Sequence, residues 1–94
     1  MIVAYAPDLA DRSRIDAALT GVTFVKSVAE LASVDAAVVI IDLSRAADIP
    51  SIKARRVIGF GSHVDEDLFA RASAAGVEAM PRSRFFRNIA AAIS

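Results

Sequence analysis

The chain is predicted to be an α/β protein, a parallel β-sheet covered by helices on both faces, and three observations carry that prediction. The first is Ala37-Val38-Val39-Ile40-Ile41-Asp42-Leu43-Ser44, apolar at consecutive positions until it meets a carboxylate. A strand with one wet face alternates, whereas a strand covered on both sides is apolar throughout; this run reads as a central strand that brings Asp42 to the rim of the sheet. The second is that β-prone and helical patterns alternate five times with short connections, the order that builds right-handed crossovers. The third is punctuation. Gly21 and Gly76 fall where helix stops belong, and Pro7 and Pro81 close apolar runs.

Taken in order, Ile2-Val3-Ala4-Tyr5 is the first strand, ended by Ala6-Pro7. Asp8 occupies an N-cap position, Asp11 lies near the positive end of the helix dipole, and Ile15, Ala18 and Leu19 form an i, i+3, i+4 stripe. Val22 to Val25 is a second strand, and Val28, Leu31 and Ala32 predict a helical turn before Val34. After the central strand, Asp48 is placed to cap a short, irregular helix with Pro50 in its first turn. Val57 to Phe60 is a fourth strand. Asp65, Glu66 and Asp67 open a helix whose buried stripe is Val64, Leu68, Phe69, Ala72 and Ala75. Val77 to Met80 is a fifth strand. A last helix starts near Ser83 and packs Phe85 or Phe86 with Ile89, Ala92 and Ile93.

Ninety-four residues, 55% of them apolar, suffice for one domain spanning 1–94 with one core. The 11 basic and 11 acidic side chains cancel, so the total charge points to neither nucleic acid nor a membrane surface. The absence of cysteine excludes disulfides and thiolate chemistry, and a single histidine leaves no imidazole cluster for zinc. No apolar run approaches a membrane span, and Pro7 interrupts the first run before it resembles a leader, so a cytoplasmic protein is expected. No nucleophile and base pair can be placed, and an enzyme is not expected.

In open parallel sheets, ligands gather beyond the carboxyl ends of the strands. The residues there are Asp8, Asp42, Ser62, His63, Arg82 and Ser83, which form the candidate pocket. Each has a plainer reading. Asp42 serves equally as a strand-end acid capping the departing chain, Asp8 as an N-cap that can still face the site, and His63 as a partner of the neighbouring acids. Arg82-Ser83-Arg84 suits an anion or nucleotide, or simply solvent. Adjacent Phe85 and Phe86 cannot both face inward. Phe86 with Arg84 and Arg87, on a segment without acids, is therefore the expected surface for a protein partner or a second copy.

The stretch Ala75-Gly76-Val77-Glu78-Ala79-Met80-Pro81-Arg82-Ser83-Arg84-Phe85 resembles the A-G-A-x-x-Y-x-x-K-P-F stretch of response-regulator receiver domains, and five βα units with an acid ending the third strand extend the likeness over the whole chain. The resemblance implies a flavodoxin-like three-layer sandwich, sheet order 2-1-3-4-5, with the third helix shortened. It also implies Asp42 as phosphoacceptor, Asp8 as the second acid of the pair that would hold magnesium beside Asp42, and Ser62 as switch hydroxyl. Pro7 stands where the other acid belongs, Met80 where the switch aromatic belongs, and Arg82 or Ser83 near the place of the lysine. A phosphoryl group on an aspartate needs a divalent cation and an ammonium to balance its charge. With part of that set missing, the expectation is a pseudo-receiver. It acts through protein contacts or as a homodimer, without a resident cofactor and with at most weak magnesium binding; an atypical phosphoacceptor or an anion binder is the alternative.

Overall fold

A computed structural model describes residues 1–62 and 65–94. Its strands are β1 (Ile2–Tyr5), β2 (Val22–Phe24), β3 (Asp35–Asp42), β4 (Lys53–Gly61) and β5 (Glu78–Pro81). All pair in parallel in the order β2-β1-β3-β4-β5, a flavodoxin-like α/β arrangement. The helices are α1 (Leu9–Ala18), α2 (Glu66–Ala74), α3 (Arg82–Arg87) and α4 (Ile89–Ile93), with 3₁₀ turns at Val28–Ser33 and Leu43–Arg45.

The consecutive apolar residues of β3 are divided between two cores. Val39 and Ile41 join Val3, Tyr5, Leu31, Leu43 and Ala72 on one face, while Ile40 joins Ala4, Ile15, Ile58, Phe60 and Phe85 on the other. Successive side chains of a strand point to opposite faces, so a strand covered twice must be apolar at every position. The 3₁₀ turns and α2 cover the first face; α1, α3 and α4 cover the second. Val64 of the expected stripe lies outside the described residues.

Several boundaries differ from the sequence reading, each for a local reason. β3 stops at Asp42 rather than Ser44 because the Asp42 carboxylate accepts the Ser44 N–H at 3.1 Å and starts a turn. The helix expected around Asp48 and Pro50 is absent: the segment from 46 to 52 forms neither helix nor strand, Ile49 and Ile52 lie against the first core, and β4 begins at Lys53 to match the full length of β3. The last helix is two helices. Asn88 breaks it, its side chain accepting the Ala91 N–H at 3.1 Å as the cap of α4, a local bond that competes with continuation of the helix. Ala18, Ala32 and Ala75 are exposed rather than buried; Ile15, Leu31 and Ala72 are the buried members of those stripes, with Leu19, Val28, Leu68 and Phe69 partly buried against the cores.

Gly76 has φ +82° and ends α2 as expected, with its N–H on the Ser73 carbonyl and the Val77 N–H on that of Ala72, both at 3.0 Å. Gly59 has a different purpose. A Cβ there would meet the buried Leu43 side chain at 2.7 Å, so its bareness lets the turn after β3 lie down on β4.

Candidate functional site

The carboxyl ends of the strands do gather acids and a cation, but the partnerships differ from those the sequence suggests. Asp8 caps α1: one oxygen accepts the N–H of Ala10 at 2.9 Å and of Asp11 at 3.0 Å. The bond from Asp11 N–H is the main reason its pKa lies below the ordinary value, with the charges of Arg45 and Arg82 adding to it. Asp42 is 2% exposed, and burial pushes its pKa up; the Ser44 N–H opposes that shift, the Asp11 charge reinforces it, and Arg82 and Arg45 oppose it.

Arg82, directly after β5, forks onto Asp11. Its Nη1 donates to Oδ2 at 2.9 Å and its Nη2 to Oδ1 at 2.6 Å. The Asp11 side chain is only 6% exposed, whereas that of Arg82 is 41% exposed. The guanidinium also lies 5.3 Å from the ring centre of Phe60 and 5.1 Å from that of Phe86, within cation–π range. The fork raises the pKa of Arg82 still further, so it is charged at any working pH. A bidentate pair between a buried carboxylate and a guanidinium held by two rings is a fixed piece of structure.

Asp11 is the residue that sequence reasoning missed. It was read only as a dipole-complementing acid in a first turn. The signal was its spacing: Asp11 and Ile15 are four apart and share the inward face of α1, and a carboxylate on a buried stripe requires a partner. The partner, 71 residues away, lies beyond any local pattern.

Of the remaining candidates, Ser62 is exposed, and its carbonyl accepts the Asp65 N–H at 3.1 Å. His63 lies outside the described residues. Ser83 lines a cleft of about 290 Å³ together with Arg14, Arg82, Phe86 and Arg87. Arg84 is directed to a separate cleft beside Arg56, Glu78 and Met80, and Arg87 borders both. Phe85 is the inward member of the aromatic pair, its ring 4.9 Å from that of Phe60, and half-buried Phe86 stands edge-on to both at 5.0 Å. Arg14 of α1 joins the expected partner surface. Its guanidinium carbon lies 4.3 Å from the Phe86 ring centre, and its Nη2 donates to the Phe86 carbonyl at 3.4 Å.

Among the described residues, no three His, Cys, Asp or Glu side chains gather into a group able to hold a metal ion. Magnesium requires several oxygens in near-octahedral array. Here Asp8 and Asp42 each accept main-chain N–H groups, and both oxygens of Asp11 accept from Arg82. Among those residues, no helix is long and apolar enough to cross a membrane. No family model matches the chain, and no curated protein or solved structure matches it.

Proposed function

We propose that the chain is a receiver-like signalling module that works by protein contact rather than by routine phosphotransfer, in the cytoplasm, and with a second copy or a larger protein as its partner. The observation that carries this reading is the fork of Arg82 on Asp11. The cation nearest in sequence to a receiver's lysine has both terminal nitrogens committed to a buried acid. A phosphoryl group on Asp42 would have to draw Arg82 away, leaving a buried carboxylate without its counter-charge. Asp42 itself is 2% exposed, and its carboxylate already accepts the Ser44 N–H at 3.1 Å, so little of it is open to an incoming phosphoryl donor.

Incubation with a small acyl phosphate and magnesium, followed by intact-mass analysis, tests this. The expected result is no mass gain on the wild type. A labile gain of one phosphoryl group that disappears in Asp42→Asn would establish the alternative, an atypical phosphoacceptor, whose support is that Asp42 feels the positive charges of Arg82 and Arg45.

A further inference from the structure

Between α1 and the α3–α4 pair lies a groove formed by two adjoining clefts, about 290 and 450 Å³ in volume. Arg14, Phe86 and Arg87 border both. Arg82 lies at one end, while exposed Ala17, Ala18 and Ala90 supply a small apolar wall at the other. No Asp or Glu lines either cleft, so a chain with no net charge is locally basic here. Arg82 is neutralised by Asp11, but among the described residues neither Arg14 nor Arg87 forms a salt bridge.

The two unneutralised arginines differ in readiness. Arg14 is held against the Phe86 ring and uses one N–H on the Phe86 carbonyl, a long bond at 3.4 Å. A guanidinium stacked in this way keeps most of its edge donors for an incoming carboxylate, and its rotamers are already restricted, which lowers the entropy lost on binding. Arg87 is exposed and adds a second positive charge along the same wall.

We propose that this groove docks an acidic segment of a partner protein, one that sets carboxylates against Arg14 and Arg87 and lays an apolar side chain over Ala17, Ala18 and Ala90. The inference rests on the protein-contact reading above and names the chemistry of the partner. Charge complementarity selects an acidic ligand. The length and mixed character of the groove select a peptide over a lone oxyanion, because an inorganic phosphate would engage the arginines and leave the apolar wall uncovered.

The test uses the full chain labelled with ¹⁵N and titrated with a short synthetic peptide of glutamates around two leucines, with its lysine counterpart and with sodium phosphate. The expected result is that the glutamate peptide shifts amides of residues 9–18 and 82–93, that added salt weakens the effect, and that the lysine peptide has none. The double variant R14E/R87E should weaken binding by about tenfold or more. Both side chains are exposed and, among the described residues, unbridged, and an amide spectrum that keeps its wild-type dispersion away from the groove would show that the variant is folded. The single variant Arg87→Glu gives a second readout of the same sign.

Absence of shifts at millimolar peptide, shifts centred on α2, or equal binding by R14E/R87E overturns the proposal. So does phosphate reproducing the peptide's shifts at the same concentration, which would make the groove a small-anion site. Failure here with no phosphoryl gain on Asp42 removes the docking site and leaves the protein-contact reading standing. A phosphoryl gain lost in Asp42→Asn removes that reading, whatever the groove binds.

Discussion

The two faces of the sheet are held by different means. Under the 3₁₀ turns and α2, the fully buried core is aliphatic apart from Tyr5, whose hydroxyl leaves the layer by donating to the Arg45 carbonyl at 3.0 Å, and partly buried Phe69 packs at its edge. Under α1, α3 and α4, three phenylalanine rings pack together, and a guanidinium lies beside two of them with its carboxylate partner pressed into the layer. The first face depends on shape, above all on the bare α-carbon of Gly59 beneath Leu43. The second depends on shape and on charge together. A core of aliphatic side chains tolerates repacking when its volume is kept, whereas a buried ion pair admits no substitute for one member alone. The second face is therefore where a change of function requires several residues to change at once.

The largest expected effect that would sharpen this contrast comes from the aromatic cluster. Phe85 is fully buried and stacked on Phe60, so Phe85→Ala should destabilise the fold by about 3–5 kcal/mol in urea unfolding. A loss under 1 kcal/mol, against that estimate, would mean that the rings are not the centre of this core.

Next comes the fork, where the two halves should be unequal. Arg82→Met leaves Asp11 charged and buried, and should cost about 2 kcal/mol, a value below the usual range for a broken buried pair because Arg82 is 41% exposed and partly screened by solvent. Asp11→Asn leaves a guanidinium that can turn out into water, and should cost less. Equal losses would break the argument that the carboxylate is the buried, dependent partner.

On the opposite face, Gly59→Ala should destabilise by about 1–3 kcal/mol through the clash with Leu43, and the double change with Leu43→Ala should recover part of that loss. Stability unaffected by the single change would show that Leu43 moves freely and that this face is loosely packed.

The smallest expected effect concerns Asp42, and its sign is opposite. Its pKa in the folded chain lies above the ordinary 3.8, so the folded state holds the proton more tightly than the unfolded one. Stability therefore falls as pH rises from the unfolded value through the folded one, and at neutral pH the ionised Asp42 works against the fold. Asp42→Asn keeps an oxygen for the Ser44 N–H without the charge and should be more stable than the wild type at neutral pH. The gap should close as the pH approaches and passes below 3.8. A variant less stable at neutral pH would mean that the carboxylate is stabilised in place, as an open charged site would have it.

What the sequence disclosed follows from how far each signal reaches. The apolar run ending at Asp42 and the glycine stop at Gly76 are patterns of neighbours, set by strand pleat and helix closure, and they predicted a parallel sheet covered by helices; its strand order was legible through the likeness to receiver domains. Gly21 misled, because α1 closes at Leu19, two residues before it. The path from Leu43 to Ile52 was misjudged because Pro50 and Asp48 carry a local helix signal that burial of Ile49 and Ile52 overrides. The break at Asn88 was missed because asparagine within an otherwise helical stretch signals weakly. The fork was legible only by half: the spacing of Asp11 from Ile15 marks a carboxylate in need of a partner, but nothing local marks Arg82, and only the pairing of the start of α1 with the end of β5 joins them. Asp42 was located correctly as the end of the central strand, while its burial and the charges of Asp11 and Arg82, which act on it beside the neighbouring Ser44 and Arg45, come from residues remote in the chain.

The central claim is that Arg82 belongs to Asp11 and closes the acidic end of the sheet. A double-mutant cycle on Asp11→Asn and Arg82→Met, read by urea unfolding at neutral pH and at two salt concentrations, tests it most directly. The account predicts a coupling of about 1 kcal/mol or more that persists in high salt, because the carboxylate is shielded from solvent ions. Additive losses, or a coupling that vanishes in salt, would contradict it and leave Arg82 an ordinary surface cation, free to meet a phosphoryl group.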